Sequence, residues 1–286
     1  MSVLDPLETL YDPVHGIELP LPPELTDLYG HLMFNPQPGR PYIISNFVTT
    51  LDGVVTLGDP GHAGAGDISG FNPHDRMVMG LLRAIADVVI IGEGGLRTEP
   101  DHLWTAPHIF PALTDAYRKL RDNLGKTEQP LTVVVTACGG INTGARIFRS
   151  GEVPVLVATT AEGCQQLRGR ELPPSVPVMV MKERGLLSAE EIIEAACRAR
   201  GCETVLVEGG PHLVSSFFAG KRLDELFLTL APQIAGRDGS AERLGLIAGM
   251  TFAPANPLWG RLVSVKRGGS HLFLRYAFAS DIDWKR

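Results

Sequence analysis

The sequence predicts an α/β fold of the dihydrofolate-reductase-like, three-layer kind: a mostly parallel central sheet, helices on both faces, and an antiparallel strand pair at the C-terminal end. Two observations predict the layers. From Tyr42 onward, apolar runs of strand length ("YIISNFVTT", "DVVIIG", "LTVVVT", "VPVLVAT", "VPVMVM", "TVLVE") alternate with helix-like stretches ("HDRMVMGLLRAIA", "ALTDAYRKLRDNLG", "SAEEIIEAACRARG"). Strands that are apolar throughout and separated by helices belong to a parallel sheet covered on both sides. After "TVLVE" the pattern changes, because "DELFLTLAPQIAG" and "HLFLRYAFAS" read as strands with no helix between them. An antiparallel pair closing the sheet follows.

The elements are justified in chain order. Residues 1–41 carry eight prolines (Pro6, Pro13, Pro20, Pro22, Pro23, Pro36, Pro38, Pro41), so this arm is extended and broken by a helical turn near "LPPELTDLYG". It also carries six acids and, before Arg40, no base, which equals the whole net charge of −6. The remainder is balanced and offers no basic footprint for nucleic acid. An N-terminus without a positive n-region, and no apolar run near the roughly 18 residues of a span, predict a cytoplasmic chain that does not cross a membrane. The organisation expected is an acidic arm over 1–41 and one domain over 42–286. Ser188 followed by Glu191 is a capping box and starts a helix over 188–200. Cys138, Cys164, Cys197 and Cys202 contain no CxxC pair, which predicts buried free thiols rather than a disulfide framework or a zinc site.

Three strand ends carry candidate chemistry. In "DVVIIGEGGLRTEP" a buried strand runs into Gly92, Gly94 and Gly95, glycines that let a ligand approach the backbone, with no helix pattern following at once. In "TVLVEGGPHLVSSF" Glu208 ends a strand, and Gly209 and Gly210 precede Pro211, a residue favoured at the first helical position. A helix starting there aims free N–H groups and its positive dipole end at the crevice, as a pyrophosphate requires, while Glu208 faces the other ligand. In "SNFVTTLDGVVT" a strand bears Asn46, Thr49 and Thr50 before the turn Asp52-Gly53, where Asp52 is equally a turn residue and a ligand contact. No Ser-His-Asp order, P-loop or HExxH spacing is present. A two-ligand crevice without a nucleophile or metal ligands suits hydride transfer, where the cofactor carries the chemistry. A non-catalytic nucleotide- or flavin-binding sensor uses the same features.

The motifs "TTLDG", "LLRAIADVVIIGEG", "VLVEGGPHL" and "LDELFLTLAPQIAG", in this order, resemble the reductase domain of the bifunctional riboflavin-biosynthesis deaminase/reductase family, without its zinc deaminase half. The resemblance implies a stand-alone reductase, a homodimer, and NADPH as hydride donor to a pyrimidine ribosylamine, with a dihydrofolate or pterin reductase as the alternative. It implies that Thr49, Asp67, Gly95 and Glu99 line the cofactor site, together with Gly92, Gly94 and the run Gly209, Gly210, Pro211, His212, Leu213, Val214, Ser215 and Ser216. Asn46, Asp52, Arg83, Leu103 and Glu208 are the substrate contacts, with Glu208 the catalytic candidate. Asn46 stands where the family carries a lysine, Ala106 where it carries an arginine, and Gly95 and Glu99 where it carries Thr and Asp. Two bases for a ribose phosphate are thus missing, which predicts poor turnover of a phosphorylated substrate. The loop after "LTVVVT", Ala137-Cys138-Gly139-Gly140, has no base for a cofactor 2′-phosphate, so NADH stays open beside NADPH.

Overall fold

The structure, a computed structural model, describes residues 4–278 apart from 14, 60 and 63. In chain order its strands are β1 (Glu8–Tyr11), β2 (Ile17–Glu18), β3 (Met33–Phe34), β4 (Tyr42–Thr49), β5 (Val88–Gly92), β6 (Leu131–Thr136), β7 (Val155–Thr160), β8 (Val178–Lys182), β9 (Thr204–Val207), β10 (Glu225–Leu230), β11 (Arg261–Gly268) and β12 (His271–Ala277). The helices are α1 (Pro23–Tyr29), α2 (Ala65–Ser69), α3 (Pro73–Ile85), α4 (Glu93–Thr98), α5 (Ala106–Ile109), α6 (Thr114–Asn123), α7 (Arg146–Arg149), α8 (Ala161–Leu167), α9 (Ala189–Ala199) and α10 (Pro211–Ala219).

Among the described residues, ten strands form one sheet in the order β1-β11-β12-β10-β4-β9-β5-β6-β7-β8. From β10 to β8 every neighbouring pair is parallel. The closing strands β12, β11 and β1 are antiparallel to their neighbours. This is the predicted architecture, with the expected pair appearing as β10 against β12. The last two residues of "HLFLRYAFAS" lie outside the described residues.

Alternation along the strands sorts the core into two layers. Tyr42 and Ile44 of β4 and Leu206 of β9 pack with α1, α3 and α6 residues such as Leu28, Leu81 and Leu120. Ile43, Val205 and Val207 pack on the other face with Ile192 of α9 and Val214 and Phe217 of α10. The parity matters for function, because it decides which face each strand-end side chain serves. Helix α3 starts where Asn72 accepts from the N–H groups of His74 and Asp75 and Pro73 takes the first turn. Helix α9 carries the predicted capping box, with Ser188 and Glu191 exchanging both bonds. Among the described residues, no helix is long and apolar enough to cross a membrane.

The arm is part of this body. Leu7, Leu25, Leu28, Tyr29, Leu32 and Phe34 join the core, and β1 pairs with β11. Its excess acid meets bases of the C-terminal strands: Asp12 lies 3.1 Å from buried Lys266, and Glu8 pairs with Arg267.

Three expectations are corrected. A helix, α4, does follow the glycines of β5 at once; its six residues include two glycines, whose poor helix propensity hides it. Strands β1 and β11 do not read as strands in the sequence. All of β1 is exposed, and β11 turns Ser264 and Lys266 inward, so neither shows apolar alternation. Cys197 and Cys202 are joined in a disulfide rather than free, because the turn from α9 into β9 brings their Cα atoms to 5.5 Å. Cys138 is exposed and Cys164 half-buried.

Candidate active site

After β5 the chain steps outward through β6, β7 and β8 and then returns to place β9 between β4 and β5. That reversal is a topological switch point, and beyond the carboxyl strand ends at such a point open α/β sheets bind ligands. It also makes the two glycine-rich strand ends immediate neighbours. Helix α10 has Gly210 at its N-cap and Pro211 at its first position, and α4 has Gly92 at its N-cap. Neither start has a side-chain cap; at α10 Pro211 has no N–H and the Leu213 N–H bonds to the Gly210 carbonyl, so among the described residues the N–H groups of Gly210 and His212 are the ones that remain for a ligand.

The paired glycines do different work. A Cβ on Gly209 would overlap Leu213 Cδ2 and come within 3.0 Å of Leu213 Cβ, so Gly209 is required by packing inside the protein. A Cβ on Gly210 would meet no atom within 4 Å, so the fold leaves that side of Gly210 open. Gly94 is similarly open, with Arg97 Nη2 at 4.0 Å, whereas Gly95 faces the Trp104 ring at 3.4 Å and Gly92 faces Leu213 at 3.9 Å.

Along α10, His212 is exposed and Leu213 covers Gly209. The side chains of Val214 and Ser215 are fully buried. Ser215 Oγ donates to the Pro211 carbonyl at 2.6 Å and accepts from Ala248 N–H, tying a loop to the helix. Ser216 Oγ donates to the Leu213 carbonyl at 2.7 Å.

On the α3 side of the sheet stand the groups expected to meet substrate. Ser45 is in register with Val207, so Asn46 and Glu208 follow side by side at the next position. Arg83, near the end of α3, holds Glu208: its Nε lies 2.9 Å from Oε2 and 3.2 Å from Oε1, and Nη2 lies 2.8 Å from Oε2. The side chains are 3% and 6% exposed, so this is a buried ion pair. Arg83 Nη1 also donates to the Thr105 carbonyl and contacts His102 Nε2 at 3.0 Å. An arginine only donates, so His102 Nε2 accepts and its proton sits on Nδ1. Nδ1 lies 3.9 Å from Glu99 Oε2, which continues the row as Glu208, Arg83, His102, Glu99.

His102 is a member of the site that the sequence did not disclose, because a single histidine in a loop carries no spacing signal. Burial first, then Arg83, His108 and Arg76, push its pKa down to about 2. Desolvation raises the Glu99 carboxyl, with Arg83 acting against the rise and Glu208 and Asp67 adding to it. The unfolded chain takes up a proton at His102 below its ordinary pKa of 6.5, and the folded chain does so only near about 2. The stability contributed is therefore complete above 6.5 and declines as pH falls toward 2, by at most about 1.4 kcal/mol per pH unit. His102→Gln keeps an acceptor for Arg83 and does not titrate. Its urea midpoint is expected to fall less than the parent's between pH 7 and pH 5, and parallel curves would contradict this.

The remaining expected residues are distributed as follows. Thr49 is buried at the end of β4, its hydroxyl on the Thr50 carbonyl. Asp52 accepts from Thr50 Oγ1 at 2.6 Å and from the N–H groups of Ala235 and Gly236 at 3.1 and 2.8 Å. The Thr50 hydroxyl first, then these amides, lower its pKa to about 2. Gly53 takes φ +80°, and the Asp52 bonds clip this turn to the loop after β10. Asp67, on α2, faces His62 at 3.1 Å. Leu103 is core, and its carbonyl accepts from Thr105. Ala106 is buried at the start of α5.

The strand ends thus gather two uncapped helix starts, α4 packed on the α3 side of the sheet and α10 on the opposite side, beside a buried acid–base pair. The model of the RibD C-terminal domain matches residues 41–255. The chain belongs to that family and is a reductase. It is 28% identical over 201 residues to the 2,5-diamino-6-ribosylamino-4(3H)-pyrimidinone 5′-phosphate reductase of Archaeoglobus fulgidus, covering 70% of this chain and 84% of the relative. To the riboflavin biosynthesis protein RibD of Chlamydia muridarum it is 30% identical over 209 residues, 71% of this chain and 49% of that one. The crystal structure of a pyrimidine reductase-like protein from Corynebacterium diphtheriae has the same fold, with TM-score 0.65 and 21% identity over 84% of this chain and 93% of that chain.

Proposed function

We propose that the chain reduces a ribosylamino-pyrimidine of the riboflavin pathway, the class of reaction for which its curated relatives are named, with a nicotinamide dinucleotide as hydride donor. The observation that carries this reading is the open side of Gly210 at the uncapped start of α10, on the strand next to the one bearing Gly92. The geometry fits a pyrophosphate, which takes N–H groups and the positive end of a helix. When bound, the dinucleotide supplies the hydride. The chain's own part is positioning: Arg83 fixes Glu208, and Glu208 Oε1, which holds only the longer of the Nε bonds, keeps acceptor capacity for an amino or ring N–H of the pyrimidine. The resemblance implies the phosphorylated donor, NADPH, and the adenosine end of the crevice, where Glu93 stands, decides between it and NADH. A homodimer, which the resemblance implies, and a cytoplasmic location, which the N-terminal composition predicts, belong to the same reading.

Among the described residues, the arginines beside Glu208 and Asn46 are already paired with acids. Arg83 is committed to Glu208, Arg275 beside the Asn46 cavity is committed to Glu225, and Ala106 supplies no charge. Losing charge-assisted bonds to a buried phosphate costs about 1.5–3 kcal/mol each. The test is dinucleotide oxidation with the pyrimidine ribosylamine and with its 5′-phosphate. Higher kcat/KM on the unphosphorylated compound is expected. A value above about 10⁴ M⁻¹s⁻¹ on the phosphate overturns the preference. Oxidation with neither compound overturns the reductase reading for this substrate class.

A further inference from the structure

We infer that Glu93 selects the unphosphorylated dinucleotide, so that this chain takes NADH in preference to NADPH; the inference rests on the dinucleotide reading of the crevice. With the pyrophosphate at the start of α10 and the reacting end over β4 and β9 beside Glu208, the adenosine half would extend the other way along the sheet order, over the ends of β5 and β6. Glu93 is the first residue of α4 and stands at that end. Thr136, the last residue of β6, donates its hydroxyl to Glu93 Oε2 at 2.5 Å and accepts from Gly139 N–H at 3.0 Å. The carboxylate is therefore held at the mouth of the β6 turn. Cys138 Sγ lies 3.8 Å from the same oxygen, and a Cβ on Gly140 would lie 3.6 Å from it, so small groups alone surround the acid there. Oε1 has no protein hydrogen bond among the described residues and is left for a ligand.

A half-buried carboxylate at a strand end in this position accepts hydrogen bonds from a ribose diol. Against a 2′-phosphate it sets like charges a few ångströms apart, and the phosphate gains no donor in exchange. Of the bases near the turn, Arg170 holds the Ile141 carbonyl at 2.8 Å and Arg149 the Thr143 carbonyl at 3.0 Å. Arg97, one turn along α4, is the one guanidinium near Gly94 among the described residues, and it is included in the test for that reason.

The experiment is calorimetric titration of the whole protein with NADH and with NADPH, repeated for Glu93→Gln, Glu93→Arg and Arg97→Ala. The parent is expected to bind NADH about tenfold or more tighter than NADPH. Glu93→Gln keeps an acceptor for Thr136 and is expected to bring the two affinities together, and Glu93→Arg to reverse their order. Equal or tighter NADPH binding by the parent overturns the inference, as does an unchanged ratio in Glu93→Gln. NADPH affinity lost selectively in Arg97→Ala also overturns it, by showing that a base serves the phosphate. Binding of neither dinucleotide to the folded parent overturns the dinucleotide reading itself.

Discussion

Gly210→Val is expected to fold and to bind the dinucleotide far more weakly. The residue sits at the N-cap of α10 with φ −66° and ψ 176°, extended backbone that valine adopts freely, and no atom within 4 Å opposes a Cβ. Valine is a poor N-cap, so a stability loss of about 1 kcal/mol is expected. Its two methyl groups nevertheless occupy the open side of the helix start, between a pyrophosphate and the N–H groups that would hold it. Dissociation constants are expected to rise by about 100-fold, equal to about 2.7 kcal/mol. Gly209→Ala is the contrasting change. Its single methyl meets Leu213 within the protein itself, and repacking costs about 1–3 kcal/mol of stability. Titration calorimetry and urea unfolding on the two variants separate the roles. Unchanged affinity in Gly210→Val would remove α10 from the cofactor site.

This contrast marks how far the sequence can be read. "EGGP" announces a helix start at a strand end, and both glycines are legible as a pair; which one protects packing and which one leaves room depends on the rotamer of Leu213, four residues on. The parallel strands are legible for the same kind of reason, because a strand covered on both faces is apolar at every position. Strand β11 is not, because its inward Lys266 is stabilised by Asp12, Thr9 and the Tyr29 ring in an arm more than 230 residues earlier, a partnership no local pattern records. The site shows the same division. Arg83 and Glu208 are each legible as polar residues at the crevice, yet they are 125 residues apart, and the sequence does not disclose that they face each other before they face a ligand. His102 becomes meaningful only once Arg83 is seen beside it.

The second large effect concerns that pair. In Glu208→Gln the amide keeps the shape of the side chain and one acceptor oxygen, and it removes the charge opposite Arg83. Taking away one partner of a buried ion pair leaves the other charge uncompensated, at a cost of about 3–5 kcal/mol. The pair is 3% and 6% exposed, so solvent does little to soften this, and a marked fall in the urea midpoint is expected. Catalysis is expected to fall for a separate reason. Glu208 Oε1 is the less engaged of the two carboxylate oxygens, and an amide in its place presents either a weaker acceptor or a donor to the pyrimidine N–H. Misplacing the electrophilic carbon relative to the hydride then lowers the transfer rate by about 10²-fold. Cofactor affinity should hold, because Glu208 lies on the α3 side of β9 and the α10 start does not depend on its charge. Single-turnover hydride transfer at saturating dinucleotide, at a temperature where the variant is folded, reads the second effect without the first. Arg83→Lys serves as the control. A lysine keeps a charge opposite Glu208 but cannot reproduce the paired bonds, so it is expected to restore more stability than rate. If Glu208→Gln transfers hydride as fast as the parent once folded, Glu208 belongs to the scaffold with Asp52, and the catalytic reading of the strand end is lost.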